Sequence, residues 1–506
     1  MPMKKFRLIL FLTAVLTIIG IKQGFAQQTD KWVPTAIHIA TTISDGSLSL
    51  DEIIKAARLK GIKAVIITDR DVMKWEYGLW PLRNIVKVIK ESNSVFKYGI
   101  DKYLKIIELE AKKNTDILII PGIESAPFYC WKGIPFLGDF KIRNWHKHIL
   151  VIGLQKPQDY AGLPVLANPA GLRRSFGADD IYVFWPLLLL FLGVFLFFKR
   201  DCSYSDNLGR ELGNVSKKNR TLGAVFIIAS IAFLVNNFAN GAGARPLAYD
   251  QYCIHPGAKP YQMLIDYVNK KGGMTFWAHP EAVNVSKQGS VIIETGEHVK
   301  DLWKTTDYTG FAIFFEGYER VGRIGGEWDF LLREFCEGLR DAPVWIISGL
   351  AFDNGTFKGL VDLMDDAQTY ILTNEFSNAA LLSSMRAGRM YASRGVAKSR
   401  FFLDKFVVKD EISGITVDVG GTIKITDKPL IEIKGRLAGV EVPSNVIVRL
   451  VRDGKVIESF EGQSPIDIVY KDHSASAYKT YYRLEIQNGA QLIVTNPIFV
   501  DRNGKT

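Results

Sequence analysis

Cysteine is scarce in this chain of 506 residues: there are four, Cys130, Cys202, Cys253 and Cys336, and no two form a C-x-x-C pair. That excludes a disulfide framework and a cysteine-built zinc site, so any chemistry must rest on His, Asp and Glu. A strong excess of one charge is lacking too. Lys and Arg number 63 against 53 Asp and Glu, and Lys4, Lys5, Arg7 and Lys22 lie in an N-terminal stretch without an acid. So small an excess leaves no nucleic-acid footprint. Internal repeats, low-complexity blocks and a glycine-rich phosphate loop are also missing. With 47 % hydrophobic and 23 % charged residues the composition is that of a folded protein, which excludes both disorder and a polytopic transporter. The length calls for two or more folded units.

What apolar excess there is falls into three blocks. Lys4, Lys5 and Arg7 precede an apolar run from Leu8 to Ile21, and Gly24-Phe25-Ala26 supplies small residues for cleavage after Ala26. We therefore expect residues 1–26 to be a signal peptide, with an uncleaved anchor as the alternative. Ile181 to Phe198 is uncharged and long enough to cross a bilayer; Thr221 to Phe238 is the weaker candidate, its clean apolar core running only from Leu222 to Val235, a length a buried soluble helix could also have. Between them Lys199, Arg200, Arg210, Lys217, Lys218 and Arg220 crowd one loop. The positive-inside rule places loop 199–220 in the cytoplasm and both flanking parts on the exocytoplasmic side of a cell membrane.

Around this hairpin seven short β-branched runs alternate with helical stretches: Ala36–Thr41, Ala64–Thr68, Ile117–Ile123, Ile149–Ile152, Met274–Ala278, Phe311–Phe315 and Val344–Ile347. Near-continuous apolar strands alternating with helices predict an α/β fold with a parallel, barrel-like sheet. Ser49-Leu50-Asp51-Glu52 reads as a capping box opening the first helix. In such folds chemistry sits at the C-terminal strand ends. There the sequence places His38, Ser44-Asp45-Gly46, Thr68-Asp69-Arg70-Asp71, Glu124, His146 and His148, His279, Glu316 and Asp353. Strand alternation points His146 away from His148. His298 and His255 read as surface or loop residues, and Asp69 and Asp71 as caps or turn acids.

This series of strand-end residues resembles the polymerase and histidinol phosphatase (PHP) family over about Lys31–Leu154 and Tyr249–Gly395. Glu327-Trp328-Asp329 and Met385–Tyr391 resemble that family's late helix and small-residue turn. The resemblance implies a distorted seven-stranded barrel in parts 31–178 and 245–398, split by the transmembrane hairpin 181–238. It also implies a metal-dependent phosphoesterase. His38, Glu124, His148 and His279 would be metal ligands for one or two divalent ions, zinc or manganese, with Asp45 in a turn where some members place a ligand. The departures are as plain: the family's His-x-His is His38-Ile39-Ala40, its Thr-Asp-His-Asp is Thr68-Asp69-Arg70-Asp71, and its Ser-Asp-x-His aligns with Leu350-Ala351-Phe352-Asp353. Arg70 would then bind substrate phosphate as a permanent cation, or pair with Glu124 as a structural ion pair.

From Phe401 the texture becomes alternating strands with an Asp453-Gly454 turn, predicting an immunoglobulin-like β-sandwich over 401–506 without the Cys-Trp-Cys hallmark. Three functions stay open: hydrolysis of a phosphorylated small molecule by metal-activated water, a non-catalytic PHP-like protein that binds an anion, and a cell-envelope interaction protein. Asp45 and Arg70 are the candidate catalytic residues.

Overall fold

The computed structural model describes residues 30–135, 139–173, 175, 177–199, 217–239, 247–252, 256–353, 359–395, 400–438, 445–475 and 478–502. The expected signal peptide, loop residues 200–216, Cys202, Cys253 and His255 lie outside the described residues.

The chain is a mixed α/β protein. Strand β1 (Lys31–Ile39) leads to a helix, Leu50–Leu59, opened by the expected capping box: Glu52 N–H donates to Ser49 Oγ, and Ser49 N–H donates to the Glu52 carboxylate at 2.8 Å. Strand β2 (Ala64–Arg70) runs straight into an exposed hairpin, β3 (Lys74–Gly78) and β4 (Lys87–Glu91), before helix Ile100–Lys113 returns the chain to β5 (Leu118–Ser125). Next come β6 (Cys130–Lys132), β7 (Lys141–Arg143) and β8 (Ile149–Ile152). Two long apolar helices, Pro186–Phe198 and Lys217–Phe238, follow. Then come β9 (Met274–Trp277), β10 (Asn284–Gln288), β11 (Val291–Thr295), β12 (Gly310–Phe314), β13 (Trp345–Ser348), β14 (Ala367–Thr373) and β15 (Met390–Arg394).

The main sheet has the order β13-β12-β9-β8-β5-β2-β1-β14-β15. An all-parallel sheet was the sequence expectation, and this is corrected: β8 is antiparallel to both β5 and β9, and β14 is antiparallel to β1. The reason is local. Among the described residues no helix lies between β5 and β8, only the short strands β6 and β7, so the chain never crosses back and must re-enter the sheet reversed. Beyond β13 the chain folds onto β1: Leu350 N–H donates to Ile37 O at 2.9 Å, Ala40 N–H to Phe352 O at 3.0 Å and Phe352 N–H to His38 O at 3.2 Å. The two ends of the strand series β1 to β13 thus meet. The core is apolar, with Ile37, Ile66, Ile120, Val151, Phe276, Ala312 and Ile346 all buried.

Strands β14 and β15 were not expected. The stretch read as a small-residue turn does contain one. Helix Asn378–Arg386 stops at Gly388, whose φ is +68° and where a Cβ would lie 2.5 Å from the Trp345 indole, so only glycine fits; β15 starts two residues on.

Although β8 and β9 are hydrogen-bonded neighbours, the two apolar helices are inserted between them. Residues Asp180–Phe198 and Lys217–Phe238 are long and apolar enough to cross a membrane, and most of their side chains face outward. They pack closely through Gly193 and Gly223, where a Cβ on Gly223 would come 2.6 Å from Phe197 N.

The C-terminal region holds β16 (Arg400–Lys409), β17 (Thr416–Asp418), β18 (Thr422–Ile425), β19 (Leu430–Ala438), β20 (Asn445–Arg452), β21 (Lys455–Gln463), β22 (Ile466–Lys471), β23 (Thr480–Asn488), β24 (Gln491–Thr495) and β25 (Ile498–Arg502). One sheet runs β17-β16-β19-β22; the other continues the main sheet, because β24 pairs antiparallel with β15 and leads to β23, β20 and β21. Phe401, Leu403, Phe406, Ile431 and Ile433 from the first join Val446, Val448, Leu484 and Ile486 from the second in a separate core. Asp453 and Gly454, at φ +51° and +78°, make the expected tight hairpin turn between β20 and β21.

Candidate metal centre

Several of the residues singled out at the strand ends converge on one point, whereas Glu316 is exposed. Glu124, near the end of β5, is buried, and its Oε1 lies 2.6 Å from His148 Nδ1, 3.2 Å from His38 Nε2 and 3.7 Å from His279 Nε2. His148 Nδ1 is 3.1 Å from His279 Nε2. The His38 and His279 rings stack at 6.1 Å, while His148 stands edge-on to His279. Among the described residues one oxygen or nitrogen each from Glu124, His148 and His279 fall within 4.8 Å of one another, a spacing that suits a shared metal ion.

Backbone irregularity aims two of these imidazoles. His38 sits at φ +71° where the β1–β2 register shifts between Ile37 and Ile39, so the bulge turns its side chain out of strand alternation. His279, just past β9, has φ +30°. Left-handed backbone at non-glycine residues costs energy and gathers at functional sites.

Arg70, the last residue of β2, fills the space beside Glu124. Its Nε donates to Asp45 Oδ2 at 2.5 Å, and its Nη1 lies 2.6 Å from His148 Nε2 and 3.8 Å from Glu124 Oε2. Asp353 Oδ2 is 3.9 Å from Nη2. The pairing with Glu124 weighed from sequence is therefore only part of the arrangement, and Asp45 is the closest carboxylate. Asp45 is held in its turn by a second buried acid: Asp69 accepts from Thr41 N at 2.8 Å and from Ser44 Oγ at 2.6 Å.

The electrostatics follow from crowding. Burial opposes ionisation of Glu124, but Arg70, with His148 and His38, outweighs it and holds the carboxyl well below the usual range. Burial pushes His148 well below the ordinary imidazole range despite Glu124, so it is neutral, as a metal ligand must be. Burial raises Asp71 to about 7, against the opposing hydrogen bonds from Ser125 Oγ and Val72 N–H.

Three expectations are corrected here. His146 does not point away by strand alternation: it lies in the turn before β8, and its ring is 5.7 Å from that of His148. His298 is no surface residue; it is buried, its Nε2 3.2 Å from Ala278 O and its ring 6.1 Å from His279. Asp69 is no cap or turn acid but a buried residue of β2, while Asp71 does sit in the bend that follows, also buried. Nothing in the spacing around His298 marked it. Ala40 and Ala351, where the resemblance implies ligands, serve the backbone seam, Ala40 through its N–H to Phe352 O and Ala351 between the two bonds that close onto β1.

No protein-family model and no curated protein matches the chain. Among solved structures, it is similar to a two-domain protein from Bacteroides vulgatus containing a predicted PHP-like metal-dependent phosphoesterase. That likeness has 10 % identity and a TM-score of 0.34, and covers 92 % of this chain and 95 % of that one. A second, a proposed metal-dependent phosphoesterase from Bifidobacterium adolescentis, has 14 % identity and a TM-score of 0.27, and covers 64 % and 90 %. Likenesses this loose fix neither fold nor activity, so function has to be argued from the side chains.

Proposed function

We propose that this chain is a membrane-tethered phosphoesterase with a PHP-like barrel, an inserted transmembrane hairpin and an immunoglobulin-like sandwich, its site on the exocytoplasmic side. The observation that carries the reading is the single oxygen Glu124 Oε1 faced by three imidazoles, beside a guanidinium. Two imidazoles and a carboxylate are a common catalytic zinc set. Glu124, His148 and His279 would hold a divalent cation, with His38 at the rim, and a zinc or manganese ion there supplies Lewis acidity and acidifies water. Arg70, oriented by Asp45, offers its fork to a phosphate oxygen. His148, kept neutral, is a ligand and not a proton donor.

A second reading is favoured by one contact. Arg70 Nη1 at 2.6 Å from His148 Nε2 puts a fixed cation against the site where a fuller cluster would carry another ion. A guanidinium replaces charge but cannot activate water, so this reading is a non-catalytic anion binder.

Metal-replete purification followed by elemental analysis, together with hydrolysis of mono- and diester phosphate substrates, separates the two. Bound metal with turnover lost in Arg70→Ala supports the enzyme. Absence of metal, with inorganic phosphate binding lost in Arg70→Ala, supports the binder.

A further inference from the structure

The β3–β4 hairpin has no place in the chemistry above, yet it is the most apolar exposed element outside the two long helices. Trp80 is 79 % exposed, and Leu79, Ile85, Val86 and Val88 also face outward. A two-stranded hairpin presenting such side chains to water is unfavourable without a cover.

Its position says what covers it. Asn84, in the hairpin turn, donates N–H to Asn236 Oδ1 and its amide to Asn236 O, both at 2.9 Å. Asn236 lies in the last turn of the second apolar helix, and the neighbouring Asn237 donates to Val183 O at 2.8 Å, at the start of the first. The hairpin turn, the end of one helix and the beginning of the other are therefore tied at one level. Tyr182, Phe184 and Trp185 are exposed at that same level, as expected of an interfacial aromatic belt.

From this arrangement we propose that the β3–β4 turn is an interfacial anchor that inserts Leu79, Trp80, Ile85 and Val86 into the lipid headgroup and acyl boundary. The proposal rests on the membrane-spanning reading of the two helices. Behind the apolar tip Lys87 Nζ pairs with Glu76 Oε2 at 2.8 Å and the Arg83 guanidinium lies over the Tyr252 ring, so the protein itself holds both charges back from the lipid. The anchor also fixes the site's height. Trp80 is ten residues beyond Arg70, so the catalytic mouth stands no more than roughly 35 Å from the lipid surface by chain reach.

The test places the photo-crosslinking residue p-benzoylphenylalanine at Trp80, at Val86, at Phe191 in the first apolar helix, and at Leu59. Leu59 is exposed at the opposite, N-terminal end of the strands. The full chain is reconstituted in phosphatidylcholine and phosphatidylglycerol vesicles, illuminated, and examined by mass spectrometry for lipid adducts. Adducts at Trp80, Val86 and Phe191 but not at Leu59 are expected. Adducts at Phe191 alone would overturn the anchor while leaving the spans intact; their loss at Phe191 as well would overturn the membrane reading and the anchor with it.

Discussion

Arg483 is buried and Arg70 nearly so, both against acids, and the two pairings differ. Arg483, on β23, forms a two-pronged pair with Asp329 of helix Glu327–Cys336: Nε to Oδ1 at 2.8 Å and Nη2 to Oδ2 at 2.7 Å, both residues sealed from solvent. Tyr481 OH adds a bond to Asp329 Oδ1 at 2.8 Å, and the guanidinium lies over the Trp328 ring. There one charge answers one charge, and the pair clamps the C-terminal sheets to the α/β part. Arg70 instead faces Asp45, Glu124 and Asp353 together, two of them only at 3.8 and 3.9 Å. A matched pair holds structure; a cation shared among three acids at unequal distances is tied closely to only one of them.

The largest effect is expected at the matched pair. Asp329→Ala strands Arg483 in the core, and a loss of about 3 to 5 kcal/mol is expected in chemical denaturation, with metal content per folded chain unchanged. A variant as stable as the parent would erase the contrast between the two arginines.

On the other side of the comparison, His148→Ala and His279→Ala should weaken zinc binding by more than about 100-fold, beyond what outer-shell changes cause, as read by titration against a chromogenic chelator. Unaltered affinity in both would remove the metal from the pocket.

Asp71 sharpens the picture through pH. Its carboxyl, raised to about 7 by burial, keeps in the folded chain a proton that the unfolded chain releases near pH 4. Stability contributed by that proton is complete below about pH 4 and is lost as pH rises through about 7. Asp71→Asn should flatten this decline, whose slope is about 1.4 kcal/mol per pH unit at its steepest, in unfolding curves collected across that range. An unchanged slope would mean that Asp71 is ionised throughout.

Smallest is the expected cost of Arg70→Gln: about 1 to 2 kcal/mol measured in chelator, because the acids it leaves behind can take up a cation instead. Added zinc should recover most of that loss. A cost as large as that of Asp329→Ala, insensitive to zinc, would make Arg70 a second structural clamp.

Much of this was legible in the sequence. The seven apolar runs mark strands because β-branched runs bounded by polar turns have few other solutions, and the six residues His38, Asp45, Arg70, Glu124, His148 and His279 do meet. What could not be read was direction. Ile149–Ile152 looks the same parallel or antiparallel, since a strand buried on both faces carries no mark of its sense, and only the lack of a helix before it decides. His298 was hidden for a related reason: it reaches His279 from a loop, where no periodicity announces burial. The sheet junction β15–β24 was missed because pairing between distant edges leaves no local pattern.

The insertion of the apolar helices between β8 and β9 sets an order in time. Strand β8 emerges from synthesis with its edge bare, and its hydrogen-bonding partner β9 is made only after both long helices and the charged loop between them. In a membrane-spanning chain, Glu124 and His148 must therefore wait on one face of the bilayer until the hairpin has been threaded and His279 delivered back to them. If the helices span the bilayer as proposed, an incompletely inserted hairpin would strand His279 on the wrong face, and assembly of the pocket would then double as a check on biogenesis.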